Sequence, residues 1–165
     1  MKTLYMLRHA KSSWDDHSLS DFERPLNERG LRTAPFIGRL MKDRELKPDA
    51  VVSSPALRAS QTAELVRHAA GFEPAIKHDE RIYEASVGTL VSVIVEAGVD
   101  SSSLLIVGHN PGAEGLIYFL TGEIAPMPTA ALAVIELDIE TWSEIDGGCG
   151  NLVDVVRPKD QMPAK

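Results

Sequence analysis

The sequence predicts an α/β fold, a three-layer αβα sandwich in which helices cover both faces of a mostly parallel sheet. Short apolar runs alternate along the chain with longer segments whose apolar residues recur at helical spacing, which is typical of this class. The last two apolar runs have no helix between them and predict an antiparallel pair at a sheet edge. The 165 residues include no repeat and no linker-like stretch, so we expect one domain over residues 1–165.

The apolar pattern predicts ten elements in chain order. They are strand 3–8, helix 27–43, strand 49–53, helix 55–70, strand 74–78, helix 86–97, strand 103–107, helix 111–121, strand 131–138 and strand 151–157. Pro35 lies inside the first helix, which we expect to be kinked or to begin later, because proline removes a backbone hydrogen bond. The polar tail 158–165 is expected to be frayed.

Polar residues follow three of the predicted strands. The segments are Arg8-His9-Ala10-Lys11-Ser12, Ser53-Ser54-Pro55-Ala56-Leu57-Arg58 and Gly108-His109-Asn110-Pro111-Gly112. In the last two, Ser54 or Asn110 precedes a proline, which predicts a side-chain cap and proline at the first helical position. Ligands of open α/β sheets lie beyond the carboxyl ends of the strands, and helix N-termini attract anions. The three segments therefore predict a phosphate site at one edge of the sheet.

In combination, these segments resemble the active site of the histidine phosphatase superfamily, which is named for an Arg-His-Gly (RHG) motif. Five segments in the right order carry the resemblance: Leu7-Arg8-His9-Ala10-Lys11-Ser12, Arg24-Pro25-Leu26-Asn27-Glu28-Arg29-Gly30, Ser53-Ser54-Pro55-Ala56-Leu57-Arg58-Ala59-Ser60-Gln61-Thr62-Ala63, Ile82-Tyr83-Glu84 and Val107-Gly108-His109-Asn110-Pro111-Gly112. Ala10 stands in place of the glycine, as is common in the small, SixA-like branch. The resemblance implies a phosphoglycerate mutase-like fold with a minimal cap and an open pocket.

The resemblance also implies roles for four residues of the pocket. His9 is expected to be the nucleophile that forms a covalent phosphohistidine intermediate. Arg8 and Arg58 are expected to clamp the phosphoryl oxygens, because a guanidinium fork matches two oxygens and stays charged. His109 is expected to supply a third donor and, if protonated, further positive charge.

Two more residues have alternative interpretations. Glu84 aligns with the carboxylate that protonates the leaving group in larger members of the superfamily, which matters most for poor leaving groups such as alkoxides. It could instead cap a helix. Ser12 is expected either to donate to the phosphate or to act as a helix cap.

Residues near the first motif are expected to shape the mouth of the pocket. Lys11 and Trp14 are predicted to frame it, and Asp15 to lie outside it, because a carboxylate there would repel a phosphate dianion. Asp21 and Arg24 are predicted to form a salt bridge that holds the loop after the first strand.

Charge and composition exclude several other classes of protein. The formal net charge of −7 argues against nucleic-acid binding, which depends on clustered cations. No apolar run is long enough to cross a bilayer, and no signal-peptide pattern begins the chain. The single cysteine, Cys149, excludes an internal disulfide and suits a reducing compartment. We therefore expect a cytoplasmic protein that acts away from membranes and is compatible with a monomeric state.

The sequence contains no metal-ligand pattern and no Walker-type loop, so we expect a phosphatase that needs neither a metal nor a cofactor. The expected substrate is phosphohistidine on a protein. A broad phosphomonoesterase acting on small molecules is one alternative. A phosphate-binding regulatory module without turnover is a second, from a different class.

Overall fold

The computed structural model describes residues 1–162, which form six strands and five helices; the ten predicted elements occur in the predicted order, and a short fifth helix follows them. The strands are β1 (Lys2–Arg8), β2 (Ala50–Ser53), β3 (Ile76–His78), β4 (Ser103–Gly108), β5 (Leu132–Leu137) and β6 (Gly150–Val156). The helices are α1 (Glu28–Asp43), α2 (Leu57–Ala70), α3 (Val87–Ala97), α4 (Gly112–Thr121) and α5 (Pro158–Gln161). Single 3₁₀ turns occur at Asp21–Glu23, Glu80–Ile82 and Trp142–Glu144.

The sheet has the strand order β3-β2-β4-β1-β5-β6. The pairs β2–β3, β2–β4 and β1–β4 are parallel, whereas β5 is antiparallel to both β1 and β6. The predicted antiparallel edge is thus confirmed. Because β1, β2 and β4 run in the same direction, their last residues, Arg8, Ser53 and Gly108, lie at the same edge of the sheet.

Two apolar cores flank the sheet and give the predicted three layers. Successive side chains of β1 point to opposite faces, as strand geometry requires. Leu4 and Met6 pack in the core with α3 and α4, whereas Tyr5 and Leu7 pack in the core with α1 and α2. Within residues 1–162, no helix combines the length and the apolar character that a bilayer span requires.

The predicted helix starts at the pocket edge and the predicted cap at Ser54 were wrong. Helix α2 begins at Leu57, two residues later than predicted, and α4 at Gly112, one residue later. Ser54 cannot start a helix because its backbone nitrogen still pairs with the carbonyl oxygen of Val107 in β4, at 2.9 Å. Asn110 lies before the first turn of α4, and its Oδ1 accepts from the backbone nitrogen of Glu114 at 3.3 Å. Both side chains therefore stay at the sheet edge, beside the pocket.

The first helix and the tail also differ from expectation. Helix α1 does not begin late: Oδ1 of Asn27 accepts from the backbone nitrogen of Gly30 at 2.9 Å, and this cap fixes the first turn despite Pro35 further along. The tail is not frayed throughout. Helix α5 packs against α1 with Pro158 buried, while residues 163–165 lie outside the described part of the chain.

Candidate active site

A pocket of about 240 Å³ opens at the carboxyl ends of β1, β2 and β4. It is lined by Arg8, His9, Lys11, Ser12, Trp14, Arg24, Arg58, His109, Asn110 and Thr129. The structure thus brings together all of the predicted site residues except Glu84. The parallel sheet does this by ending β1 and β4 side by side, with the backbone nitrogen of His9 donating to the carbonyl oxygen of Gly108 at 3.0 Å.

His9 has a buried imidazole whose protonation is set by its neighbours. Its Nδ1 lies 2.8 Å from the carbonyl oxygen of Ala10. Because a carbonyl only accepts, Nδ1 carries the proton and Nε2 keeps its lone pair. Burial lowers the pKa of His9 from 6.5 to about 3, and the nearby His109, Arg58 and Arg8 add to this effect. The ring is therefore neutral near pH 7, with Nε2 available as a nucleophile.

We expect the protein to lose stability as the pH falls below 6.5, because His9 gains its proton only after unfolding. From about pH 3 to 6.5 the unfolded chain binds a proton there and the folded chain does not, so the free energy of unfolding rises with pH across this window. Urea unfolding at several pH values measures this slope. The slope should be shallower in His9→Gln, with His109 contributing the remainder. Equal slopes in the two proteins would contradict the buried neutral state.

Protein oxygens hold Arg8 and Arg58 in place, yet the buried Nε of each remains without a partner among residues 1–162. Nη1 of Arg8 donates to the carbonyl oxygen of Met127 at 3.1 Å. Nη1 and Nη2 of Arg58 donate to the carbonyl oxygen and Oδ2 of Asp21, at 2.6 and 3.0 Å. Within residues 1–162, Nε of Arg8 and Nε of Arg58 are the buried side-chain atoms that lack a hydrogen-bond partner. Unpaired buried donors are costly, so these two charged donors favour an anionic ligand.

His109 lies across the pocket from His9, with 5.1 Å between the two ring centroids. Its Nε2 lies 2.7 Å from Oγ of Ser54, and the ring meets that of Tyr83 edge to face at 5.5 Å. Burial lowers the pKa of His109 to about 4, with Arg58 adding to the effect. The ring is therefore neutral at pH 7, so it does not supply the further positive charge considered from the sequence.

The predicted salt bridge between Asp21 and Arg24 is confirmed. Nη2 of Arg24 lies 3.1 Å from Oδ1 of Asp21, and its Nη1 donates to Oγ of Ser12 at 2.7 Å and to the carbonyl oxygen of Ser13 at 3.3 Å. Arg24 therefore holds the loop after β1. The helix-cap interpretation of Ser12 was wrong, because Ser12 forms an isolated bridge with Leu26. Its hydroxyl proton is left available to a ligand in the pocket.

Asp21 makes two further contacts that the sequence did not predict. Its Oδ2 accepts from Arg58 and also from the hydroxyl of Tyr83, at 2.6 Å. The bond from Tyr83 lowers the pKa of Asp21 to about 2, with Arg58 and Arg24 adding to the effect. One carboxylate thus connects a pocket arginine, the loop after β1 and the adjoining cleft.

Glu84 lies in that adjoining cleft, which has a volume of about 410 Å³ and shares Arg58, His109 and Asn110 with the pocket. The helix-cap interpretation of Glu84 was wrong, since Ser86 caps α3 by accepting from Thr89. The exposed Glu84 carboxylate makes no hydrogen bond to any residue in 1–162. Its backbone φ of +56° is unusual for a residue other than glycine, and such strain is typical of functional sites.

The residues at the rim of the pocket match the prediction in part. Lys11 and Trp14 line it as expected, and Trp14 stacks under Arg24 with the guanidinium carbon 3.5 Å from the ring centroid. Asp15 lies outside the pocket, in a separate groove. Sequence reasoning missed Thr129, for which no local motif exists. Asn110 was noted only as a helix cap, although its place in the His-Asn-Pro segment pointed to the pocket.

The described part of the chain contains no group of three or more His, Cys, Asp or Glu residues positioned to hold a metal ion. Four cationic side chains line the pocket: Arg8, Lys11, Arg24 and Arg58. A neutral imidazole with a free Nε2 faces them. This arrangement suits the transfer of a phosphoryl group to histidine.

The fold and the pocket suit a phosphatase, and comparison with known proteins agrees. The profile of the histidine phosphatase superfamily (branch 1) matches residues 4–98. The chain belongs to this superfamily.

Individual relatives extend the match along the whole chain. The protein Rv1276c of Mycobacterium tuberculosis is 33% identical over 93% of this chain and 100% of its own length. Phosphohistidine phosphatase SixA of Escherichia coli is 28% identical over 82% of this chain and 85% of its own. The crystal structure of a candidate SixA phosphohistidine phosphatase from Agrobacterium tumefaciens is 32% identical, with a TM-score of 0.82 over 95% of this chain and 98% of that one. The predicted phosphoglycerate mutase-like architecture is confirmed.

Proposed function

We propose that this protein is a metal-independent phosphatase that removes the phosphoryl group from phosphohistidine on a protein, through a covalent intermediate on His9. The observation that carries the proposal is the state of His9. Its Nδ1 is committed to the carbonyl oxygen of Ala10, so the unprotonated Nε2 is the nitrogen that can attack. The unpaired Nε donors of Arg8 and Arg58 are suited to the phosphoryl oxygens.

The proposed reaction has two displacements at phosphorus. In the first, the Nε2 lone pair of His9 forms a bond to phosphorus, and the bond from phosphorus to the substrate nitrogen breaks, with the departing imidazole keeping the electron pair and a proton. In the second, water attacks the phosphohistidine, His9 leaves as neutral imidazole, and phosphate is released. The arginines stabilise the negative charge that spreads over the equatorial oxygens in both steps.

The openness of the site supports a protein-borne substrate. Between Glu84 and β4 the chain forms one helix, α3, so no large insertion covers the cleft. An open phosphate site admits a side chain that projects from another protein. The names of the relatives from E. coli and A. tumefaciens point to the same substrate class. We place this activity in the cytoplasm, which the single cysteine supports.

The position of Glu84 beside the pocket supports a second candidate function, that of a phosphomonoesterase acting on small molecules. A carboxylate beside the pocket can protonate an alkoxide leaving group, which phosphohistidine does not require. The non-catalytic alternative has less support, because a module that only binds phosphate has no use for the free Nε2 of His9.

We expect phosphate release from a phosphohistidine-bearing carrier protein to exceed release from an aryl phosphate in kcat/KM, and both to survive EDTA. The reason is that the two arginines supply the positive charge around the phosphoryl group. Both substrates are assayed with and without chelator, and with divalent metal restored afterwards. Preference for the aryl phosphate would favour the second candidate. Loss of turnover that added metal restores would contradict metal independence.

A further inference from the structure

Ser54 is a buried residue whose side chain contacts a pocket histidine. Its Oγ lies 2.7 Å from Nε2 of His109 and accepts from the backbone nitrogen of Ala56 at 3.2 Å. Ser54 is 0% exposed, so its hydroxyl has no access to solvent. The hydrogen bond between its backbone and Val107 of β4 keeps it fixed at the strand end.

The hydrogen bonds of Ser54 determine which nitrogen of His109 carries the proton. The hydroxyl has one proton to donate, and Nε2 of His109 is the acceptor within reach. If Nε2 carried the ring proton, Oγ would accept two hydrogen bonds, and the buried hydroxyl proton would have no acceptor among residues 1–162. Burial lowers the pKa of His109 to about 4, so the ring has a single proton at pH 7. That proton is therefore on Nδ1.

We infer that Ser54 is a positioning residue that fixes His109 in the Nδ1-protonated tautomer, so that the ring donates a hydrogen bond to the bound phosphoryl group. This inference rests on the proposed function, because it deepens the role of the same pocket. In the opposite tautomer Nδ1 would carry a lone pair and could not donate to a phosphoryl oxygen. Ser54 thus supports phosphate binding without touching phosphate.

The two pocket histidines are then held in complementary states by neighbouring oxygens. Nδ1–H of His9 donates to the carbonyl oxygen of Ala10, so the unprotonated Nε2 can attack. The hydroxyl of Ser54 donates to Nε2 of His109 and leaves Nδ1–H to donate. Both rings are neutral, so the difference between the attacking His9 and the donating His109 depends on their tautomers and not on charge.

The test is a long-range ¹H–¹⁵N correlation spectrum of the ¹⁵N-labelled full-length protein near pH 7, with His109 assigned by comparison with His109→Gln. We expect a protonated Nδ1 and an unprotonated Nε2 in the wild type, and a shift of the proton toward Nε2 in Ser54→Ala. A wild-type His109 that is protonated at Nε2 would overturn the inference, whether or not the variant folds. An unchanged tautomer in a folded Ser54→Ala protein would also overturn it.

Binding of inorganic phosphate, measured by calorimetry, gives a second readout with a matched control. Ser54→Ala should weaken binding about tenfold or more, as expected for the loss of one hydrogen bond to a charged group. Ser53 is equally buried, and its hydroxyl donates to the carbonyl oxygen of Ser54 at 2.9 Å without contacting His109. Ser53→Ala should therefore keep both the tautomer and the affinity. Equal losses in the two variants would assign Ser54 to packing and overturn the inference.

The spectrum needs no turnover, so it separates this inference from the proposed function. A protein that fails to hydrolyse phosphohistidine, but whose His109 tautomer depends on Ser54, would refute the function and support the inference. A protein that hydrolyses phosphohistidine with His109 protonated at Nε2 would do the reverse.

Discussion

His9→Ala should lower kcat at least about 10⁴-fold, the scale of loss seen when a covalent nucleophile is removed, while inorganic phosphate still binds. The attacking Nε2 is absent from this variant, whereas Arg8, Arg58 and His109 remain in place around the pocket. Turnover is measured with the phosphohistidine carrier and with an aryl phosphate, and phosphate affinity by calorimetry. We expect the affinity to change only a few-fold.

His78→Ala is the matched control for this prediction. His78 is exposed, its Nε2 lies 3.0 Å from Oγ of Ser60, and it does not line the pocket, so its loss should leave kcat unchanged. Thermal unfolding of both variants shows whether they fold. Substantial turnover in a folded His9→Ala protein would mean that water attacks phosphorus directly.

Glu84→Gln should slow the hydrolysis of alkyl phosphates about a hundredfold or more, the usual loss for a missing proton donor. It should barely affect phosphohistidine or an activated aryl phosphate, whose leaving groups need little protonation. Glu84 lines the cleft that adjoins the pocket, and we propose that its carboxyl group protonates the departing alkoxide. The measurement is kcat/KM for esters of graded leaving-group pKa, with a phosphohistidine substrate alongside.

Glu80→Gln provides the control, because Glu80 is exposed in the preceding 3₁₀ turn and does not line the cleft. It should match the wild type across the whole series. A uniform loss in Glu84→Gln would assign Glu84 to binding or structure. If Glu84→Gln kept the wild-type kcat/KM with every substrate, Glu84 would have no role in the reaction.

The sheet-edge location of the pocket was predictable because it follows from chain order. Parallel strands place their carboxyl ends together, so Arg8, Arg58 and His109 could be assigned to one pocket before any distance was known. The antiparallel edge was predictable in the same way, since no α-helix lies between β5 and β6. Tyr83 and Glu84 could be placed near the site only through the family resemblance.

The contacts that set protonation were not predictable from the sequence. A Ser-Pro or Asn-Pro pair indicates a turn, but it does not say whether the chain has already left its strand. At Ser54 the chain is still part of the sheet, because the Ser54 backbone pairs with β4. Its hydroxyl therefore reaches His109 instead of capping α2. Asp21 was paired with Arg24 from a local motif. Its bonds to Arg58 and Tyr83 span 37 and 62 residues, and no local pattern encodes them.

The most direct test of the central claim is to trap the phosphoenzyme and locate its phosphate. Wild-type protein mixed with a phosphohistidine carrier is quenched rapidly in base, digested, and analysed by mass spectrometry. We predict an acid-labile, base-stable adduct on His9. The phosphate should be attached at Nε2, because Nδ1–H donates a hydrogen bond to the carbonyl oxygen of Ala10. A phosphate on Nδ1 or on another residue would contradict the account, as would its absence under conditions where hydrolysis of the intermediate is slow.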